Sequence, residues 1–380
     1  MKIKNFIKKL IGKNSVKKII GGGYSLLIKI WFYLPHKESE LDASRSEETL
    51  HNIRENRPCV IECNNRLKPE CDLMIVIPAY NVEKYITECI NSILSQQTEY
   101  TFQVVIIDDG SCDDTLGILV GLSDPRITVI HQENGGIANA RNRGLEVITG
   151  NYVMFVDSDD ILYPGAVQAL LEKAYLLKAD IVEGGSATID ATGRVMKTEQ
   201  YPDTTDNEDN PRFRGQPWGR VIRSELFQKI HYPNGFEYED SIFAYCILPA
   251  AEHKYDISDI VYGYRVNDSS ITHTSKRASS CIDTYYISMY LWRWYAEHFE
   301  ITEIFNKKIL NQISLNFIRT TRCGKEVLQA AYCLEREIYL ELFSQKFRLS
   351  GKHKSLDRAL RDNNWGAYKL ICSGWSFMDK

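Results

Sequence analysis

Three carboxylates stand within four positions in the segment Asp157-Ser158-Asp159-Asp160. The apolar residues before them, 152–156, predict a short buried strand that stops where the acids begin. Like charges this close raise one another's pKa unless a cation or a proton relieves them. The pattern therefore favours a divalent-cation site at the carboxyl end of a strand. The same residues also fit a solvated turn that caps the next helix.

Composition bounds the classes of protein to consider. The chain has 380 residues, of which 44% are hydrophobic and 11% aromatic, which is ample for a buried core. Its formal net charge of −4 argues against a general nucleic-acid binder. The ten cysteines show no C-x-x-C spacing, which fits reduced thiols in a cytosolic protein.

The amino-terminal segment, 1–36, differs from the rest. Residues 1–18 contain seven lysines and no acid, with apolar residues on one helical face. This pattern predicts a basic amphipathic helix that lies on an anionic membrane surface, with Trp31 and Tyr33 at the interface. The alternative is a helix that packs on the protein itself. Polar composition predicts a linker over 37–71.

From residue 72 onwards, apolar runs alternate with helical periodicity. Such alternation predicts an open, mostly parallel α/β sheet with helices on both faces, and Asn81 is the predicted cap of the first helix in this region. Loops at the carboxyl ends of the strands should converge on one crevice. The predicted strands are 73–77, 102–107, 127–130, 152–156 and 179–183.

Glycine-rich phosphate-binding motifs are missing from the sequence. Neither G-x-G-x-x-G nor G-x-x-x-x-G-K-[ST] occurs, so the dinucleotide-binding and P-loop interpretations lose their physical basis. A ligand with a diphosphate would instead need the metal that the aspartates can hold.

Four loop motifs, in order and at the expected spacings, resemble the family 2 glycosyltransferases of the GT-A fold. The resemblance covers about 72–275 and implies a catalytic domain over 72–276, with a nucleotide-binding half (72–185) and an acceptor-side half (186–276). The motifs are Ile77-Pro78-Ala79-Tyr80-Asn81, Ile107-Asp108-Asp109-Gly110-Ser111, Asn134-Gly135-Gly136 with Ala140-Arg141-Asn142, and Phe155-Val156-Asp157-Ser158-Asp159-Asp160.

The resemblance implies roles for the donor side of the crevice. Asp109 would accept the imide proton of a uracil, which favours a UDP-sugar donor. The alternative for Asp109 is a turn residue before Gly110. The residues that the family pattern assigns to the nucleotide are Pro78, Ala79, Tyr80, Asp109, Gly136, Asp157 and Ser158.

The same resemblance implies a Mn²⁺ or Mg²⁺ ion. Asp159 is the expected direct ligand, Asp157 contacts metal or ribose, and Asp160 is a candidate for facing the donor sugar. Farther along, 262–273 resembles the family's closing loop near the diphosphate. There His273 is a candidate metal or phosphate ligand with Arg265 assisting, and the alternative for His273 is a non-catalytic loop residue.

Acceptor-side motifs supply the base. Glu239-Asp240 matches the family's acidic pair, and Asp240 is the implied catalytic base that takes the proton of the acceptor hydroxyl, with Glu239 orienting the acceptor. The alternative is an exposed, acid-rich helix start. Trp218 is the implied apolar platform under an acceptor sugar, or else an ordinary core tryptophan.

The remaining region, 277–380, is predicted to be helical. Its aromatic and amphipathic stripes fit packing, acceptor shaping, membrane contact or a homo-oligomer contact with a second copy of the chain.

The resemblance implies an inverting, metal-dependent transferase that moves a sugar from a nucleotide to a glycan or lipid-linked glycan. Its expected setting is polysaccharide (capsule) biosynthesis at the cytoplasmic face of the cell membrane, with no nucleic-acid partner. Two alternatives stay open: a non-catalytic membrane-associated scaffold that keeps the nucleotide site, and a metal-dependent nucleotidyltransferase. The latter should have a glycine-rich loop with a basic residue after the first strand, which 78–81 is not.

Overall fold

A computed structural model describes residues 28, 32, 42–203, 215–266, 280–345 and 347–375. The chain divides into two compact units, a sheet unit, Arg57–Ser275, and a helical unit, Met1–Asn56 with Lys276–Lys380. Within the described ranges, no helix is long and apolar enough to cross a membrane.

The sheet unit is built on nine described strands in one sheet. Eight of them lie in the order β3-β2-β1-β4-β8-β6-β9-β5, and β7 pairs with β6. The strands are β1 (Arg66–Ala79), β2 (Phe102–Asp109), β3 (Ile127–Gln132), β4 (Val147–Phe155), β5 (Ile161–Leu162), β6 (Ile181–Ile189), β7 (Val195–Glu199), β8 (Arg220–Arg223) and β9 (Lys254–Arg265).

Strand direction changes in the middle of this sheet. β3, β2, β1 and β4 are parallel, whereas β8 is antiparallel to both β4 and β6. β6 and β9 are parallel again. The predicted open α/β sheet is confirmed, but its strands are mixed in direction. The sequence did not indicate this, because hydrophobic periodicity identifies a strand without giving its partner or its direction.

Helices cover both faces of the sheet unit, as predicted. Alternate residues of β1, such as Ile75 and Ile77, pack in one core with the first, second and fourth of these helices. On the other face, Gly144 of the third helix lies so close to Val76 that an added Cβ would come within 2.5 Å of its Cγ1. The helices are α2 (Ile86–Leu94), α3 (Thr115–Val120), α4 (Ile137–Leu145) and α5 (Ala166–Leu177), and a π-helix (Phe243–Ile247) continues into α6 (Leu248–Ala250).

The range predicted to be a linker, 37–71, holds regular structure. It contains the helix α1 (Ala43–His51), which begins at an Asp42 cap and belongs to the helical unit, and the start of β1. The polar composition was misleading because α1 buries only a narrow side, on which Ser46 and Leu50 lie.

Asn81 does not cap the helix that follows it. α2 begins at Ile86, and Asn81 instead has a φ of +52°. Its side-chain oxygen accepts a hydrogen bond from the Cys112 N–H (2.8 Å) and its own N–H donates to the Ser111 hydroxyl (3.1 Å). Asn81 therefore ties the loop after β1 to the loop after β2, a tertiary role that local helix signals do not show.

In the helical unit, α1 packs against α9 (Lys325–Leu342), and the two described residues of the amino-terminal segment also make contacts. Ile28 is buried, and the Arg358 guanidinium lies 4.2 Å from the centroid of the Phe32 ring. The remainder of 1–36 lies outside the described residues. The other helices of this unit are α7 (Asp283–His298), α8 (Glu303–Thr320), α9 (Lys325–Leu342), α10 (Gly351–Arg361) and α11 (Trp365–Gly374).

A buried carboxyl group lies at the centre of the helical unit. Glu335 on α9 has no solvent exposure, and its oxygens accept hydrogen bonds from the Asn316 amide (2.8 Å) and the Tyr368 hydroxyl (3.3 Å). Burial raises the pKa of Glu335 to about 8, although these two hydrogen bonds oppose the rise. Near neutral pH the folded chain therefore holds a proton that the unfolded chain has already released.

We expect this proton to make stability depend on pH. Between the ordinary glutamate pKa near 4.5 and the folded pKa of about 8, the folded state binds one more proton than the unfolded state. The free energy of unfolding should thus be highest below pH 4.5 with respect to this group and fall, by up to about 1.4 kcal/mol per pH unit, until pH 8. Denaturant titrations at pH 6 and pH 8.5 should show this fall in the native protein and a smaller one in Glu335→Gln. Glu337→Gln, at an exposed position of the same helix, serves as the control. Equal pH dependence in native protein and Glu335→Gln would contradict the assignment.

Candidate active site

The loop after β1 presents one exposed aromatic ring. Pro78 and Ala79 are buried at the end of the strand, whereas Tyr80 is 48% exposed. Because Asn81 fixes this loop to the loop after β2, the Tyr80 ring lies at the carboxyl edge of the sheet. An exposed ring there can lie against a planar base.

Asp109, at the end of β2, is almost fully buried. One carboxylate oxygen accepts hydrogen bonds from the Gln132 amide (2.6 Å) and the Gly135 N–H (2.9 Å), and the other accepts from the Gly136 N–H (2.8 Å). Gly136 has a φ of +84°, a conformation that favours glycine, and α4 begins directly after it. Asp109 therefore fixes the start of α4. A carboxylate has about four acceptor positions, and these contacts use three of them.

The acidic turn 157–160 is held from β9. The Tyr262 hydroxyl accepts a hydrogen bond from the Asp157 N–H (3.0 Å) and donates to a carboxylate oxygen of Asp160 (2.7 Å). The Arg265 N–H donates to the other Asp160 oxygen (2.7 Å), and its Nε donates to the Asp159 carbonyl (2.8 Å). Two residues of β9 thus fix the backbone and one carboxyl group of the turn.

The three carboxylates of this turn have different surroundings. Asp160 is buried, and its pKa is raised well above its usual range by burial and by the charges of Asp157 and Asp159. It faces β9, so the idea that it turns toward a donor sugar is wrong in this structure. Asp157 and Asp159 are partly exposed, and Ser158 is buried.

Arg265 serves the same turn rather than standing open to a diphosphate. It is buried, and its guanidinium donates to Glu88 (2.7 Å) and to the carbonyls of Asp190 (3.3 Å) and Ala191 (3.2 Å) in addition to Asp159. These contacts occupy the guanidinium with protein acceptors. His273 lies outside the described residues.

Arg141, on α4, joins the acidic turn 157–160 to Glu239. Its Nη2 donates to Asp157 (3.0 Å) and its Nη1 donates to Glu239 (2.7 Å), with the arginine only 2% exposed. Burial alone would lower the pKa of Arg141, but the charges of Asp157 and Glu239 outweigh it and leave that pKa above its ordinary value. The arginine is therefore a permanent cation between two carboxylates.

Glu239 and Asp240 differ in exposure. Glu239 is buried, and burial raises its pKa while Arg141 opposes the rise and Asp240 adds to it. Asp240 is partly exposed. Tyr238, just before them, has a φ of +66°, which is strained for a residue with a side chain. Of the acidic pair, Asp240 is thus the more exposed residue, and Glu239 is the one that accepts a hydrogen bond from Arg141.

Trp218 packs on β9. Its ring stacks on Tyr262 (centroids 4.6 Å apart, planes at 9°) and on Tyr264 (5.5 Å, 15°). The tryptophan is partly buried against the core, as its core interpretation expected, and the acceptor role stays a prediction for its uncovered part.

Oxygen ligands for a metal are few here. Among the described residues, no group of three His, Cys, Asp or Glu side chains is placed to hold a metal ion. Mg²⁺ and Mn²⁺ bound with a nucleotide use one or two carboxylates together with phosphate oxygens and water. The partly exposed Asp157 and Asp159 fit that smaller donor set.

Sequence reasoning found the acids but not the residues that place them. Arg141 and Asn142 belong to the third loop motif, but the motif predicts no role for either. Tyr262 is the first residue of the predicted closing loop, 262–273, and likewise has no predicted role. A signal existed for Arg141, since an arginine on the apolar side of a short helix needs a buried partner. No local sequence signal marks Tyr262, because its hydrogen bonds are to the acidic turn, more than 100 residues earlier in the chain.

The sequence is similar to that of known glycosyltransferases. The family model described as "Glycosyl transferase family 2" matches residues 74–235. Glycosyltransferase GlyG of Streptococcus pneumoniae is 28% identical over 74% of this chain and 98% of its own length. Chondroitin synthase of Escherichia coli is 37% identical over 37% of this chain, which spans 21% of that protein.

Solved structures show the same fold. Residues 1–349 of S. aureus TarS, crystallised in complex with UDP-GlcNAc, align with a TM-score of 0.60 at 21% identity, covering 80% of this chain and 91% of that one. The fold class expected from the sequence, an α/β fold of the GT-A type with a helical carboxyl-terminal region, is confirmed. The family match over 74–235 lies within the sheet unit, so this chain contains a domain of the family 2 glycosyltransferases.

Proposed function

We propose that this glycosyltransferase is inverting and metal-dependent, and that it moves a sugar from a UDP-sugar to a hydroxyl of a glycan or lipid-linked glycan. The observation that carries the proposal is the Arg141 bridge, because Arg141 bonds both Asp157 of the acidic turn and Glu239, the neighbour of Asp240. A donor held at Asp157 would therefore lie next to a base at Asp240.

The proposed reaction is one displacement. The carboxylate of Asp240 takes the proton of the acceptor hydroxyl while that oxygen bonds to the anomeric carbon. The bond from this carbon to the diphosphate breaks on the opposite face, so configuration inverts and the nucleoside diphosphate leaves. Glu239, buried and paired with Arg141, orients the segment that carries the base.

UDP is the proposed nucleotide. The support is the Asp109 carboxylate beside the exposed Tyr80 ring, together with the UDP-GlcNAc bound to TarS. Asp157 and Asp159 would hold the Mn²⁺ or Mg²⁺ ion, whose contribution is to neutralise the charge of the leaving diphosphate.

The proposed setting is polysaccharide biosynthesis at the cytoplasmic face of the cell membrane. Support comes from the basic amphipathic pattern of 1–36 and from relatives such as chondroitin synthase, whose name denotes polysaccharide synthesis. The lysines would attract anionic headgroups, each contributing about 1 kcal/mol near the surface.

Nucleotide binding can be measured without knowing the sugar. We expect UDP with Mn²⁺ to raise the melting temperature, because a ligand at about one hundred times its Kd stabilises the folded state by roughly 2.7 kcal/mol. Thermal unfolding should be followed with UDP, GDP, CDP and ADP, each with and without Mn²⁺. Asp159→Asn should lose the part of the shift that requires Mn²⁺. No shift with any nucleotide, from protein shown to be folded, would refute the nucleotide site.

Turnover tests the base. Asp240→Asn removes the proton acceptor with little change in shape, so release of UDP from a UDP-sugar should slow by about 10²- to 10⁴-fold. The thermal shift with UDP and Mn²⁺ should stay at the native value. Glu237→Gln, an acid on the same segment, is the control and should keep native turnover. Native turnover in Asp240→Asn would remove this residue from the mechanism.

The hold of β9 on the acidic turn predicts an effect from a residue that touches no ligand. Tyr262→Phe keeps the ring on Trp218 but removes the hydroxyl between Asp157 and Asp160. The lost hydrogen bonds should lower stability by about 1–3 kcal/mol, and the loosened turn should weaken the Mn²⁺-dependent thermal shift with UDP. Tyr264→Phe on the same strand should leave that Mn²⁺-dependent shift unchanged. Equal Mn²⁺-dependent shifts in Tyr262→Phe and native protein would show that this hydroxyl does not position the turn.

A further inference from the structure

We propose that Asn142 is a positioning residue that fixes the segment 232–240 and thereby places Asp240. This inference rests on the proposed base role of Asp240. Asn142 is not placed to do chemistry itself, because its amide oxygen and nitrogen both form hydrogen bonds with protein groups.

Asn142 grips the main chain of Tyr232 at two points. Its side-chain oxygen accepts a hydrogen bond from the Tyr232 N–H (2.8 Å), and its Nδ2 donates to the Tyr232 carbonyl (2.7 Å). The same Nδ2 donates to the Asn234 side-chain oxygen (3.0 Å). Only one orientation of the amide satisfies all three contacts, so the pairing defines register as well as distance.

Tyr232, which accepts and donates these main-chain hydrogen bonds, is itself held firmly by its packing. Its side chain is fully buried, its ring packs edge-on against Phe155 at 5.6 Å, and the Arg141 guanidinium lies 5.3 Å from its ring centroid. Phe155 ends the strand that leads into the acidic turn. Neighbouring residues of α4 therefore hold both the main chain and the ring of Tyr232.

The segment from Tyr232 to Asp240 needs such support. It lies outside the described strands, and its far end is fixed by turn hydrogen bonds such as Ser241 N–H to the Tyr238 carbonyl (3.0 Å). Between these ends lies the positive φ of Tyr238, a conformation that persists only when its surroundings hold it. Release at Tyr232 would free the strain beside the base, and a shift near 1 Å can slow catalysis about 10²-fold.

This role differs from a general contribution to stability. If Asn142 acts through Asp240, replacing Asn142 should change turnover little in a protein that already carries Asp240→Asn. If the two residues act independently, their effects on turnover should multiply. The measurement is therefore a double-mutant cycle of Asn142→Ala and Asp240→Asn. Turnover is read as UDP release to water, using whichever of UDP-glucose, UDP-galactose, UDP-GlcNAc or UDP-GalNAc the native protein consumes fastest.

We expect Asn142→Ala to slow turnover by about 10- to 100-fold with an unchanged thermal shift for UDP and Mn²⁺. The double variant should be no more than about three-fold slower than Asp240→Asn alone. Asn65→Ala is the matched control, since it removes another asparagine bond to a main-chain carbonyl, that of Phe227, in the same unit. Losses that multiply in full, or native turnover in Asn142→Ala, would overturn the inference.

Hydrogen exchange separates this inference from the proposed function. Asn142→Ala should lose protection at the Tyr232 amide and at the amides of 241–243, while β2 keeps its protection. Asn142→Asp, which keeps the acceptor for the Tyr232 N–H but loses the donor, should show the same change in part. If Asp240→Asn is fully active, the proposed base is wrong, but the exchange pattern still tests whether Asn142 fixes the segment 232–240. Unchanged exchange at 232 and 241–243 would refute that positioning role.

Discussion

The crevice depends on one buried cation between two carboxylates. Arg141 is enclosed by protein, and its two η nitrogens donate to Asp157 and Glu239. Enclosing a charge is strongly unfavourable unless opposite charges and hydrogen bonds compensate, and removing Arg141 would take this partner from both carboxylates, at a cost of about 3–5 kcal/mol. The arrangement therefore holds only when α4, the acidic turn and the 232–240 segment all occupy their places.

The helix α4 also links Asp109 to the segment 232–240, although the two lie far apart in the sequence. Asp109 fixes the two residues just before α4 through the Gly135 and Gly136 N–H groups, and the same helix then supplies Arg141 and Asn142. α4 is short, so a displacement at its start carries to its end. The proposed nucleotide side and the proposed base side thus share one short helix, through which binding of a donor would affect the position of Asp240.

Much of the sheet unit could be predicted from sequence because its signals are local. Continuous apolar runs such as 73–77 mark strands that are buried on both faces, and the acids after them mark loops. What could not be predicted depends on residues distant in sequence. Asn81 looked like a helix cap but bonds the loop after β2, and Asp160 looked like a ligand of the donor but bonds Tyr262 and Arg265. The helix α1 was missed because only a narrow side of it is buried.

Strand direction explains why these distant residues meet. β4 ends at the acidic turn, and β8 runs antiparallel to it, so the start of β8, next to Trp218, lies beside that end. β6 is antiparallel to β8, and β9 is parallel to β6, so β9 runs in the direction of β4. The end of β9, which carries Tyr262 and Arg265, therefore reaches the same edge of the sheet as the carboxyl ends of β1, β2 and β4. The antiparallel β8 between β4 and β6 thus places the start of β8 and the end of β9 beside the acidic turn, and no periodicity in the sequence encodes the reversed direction of β8.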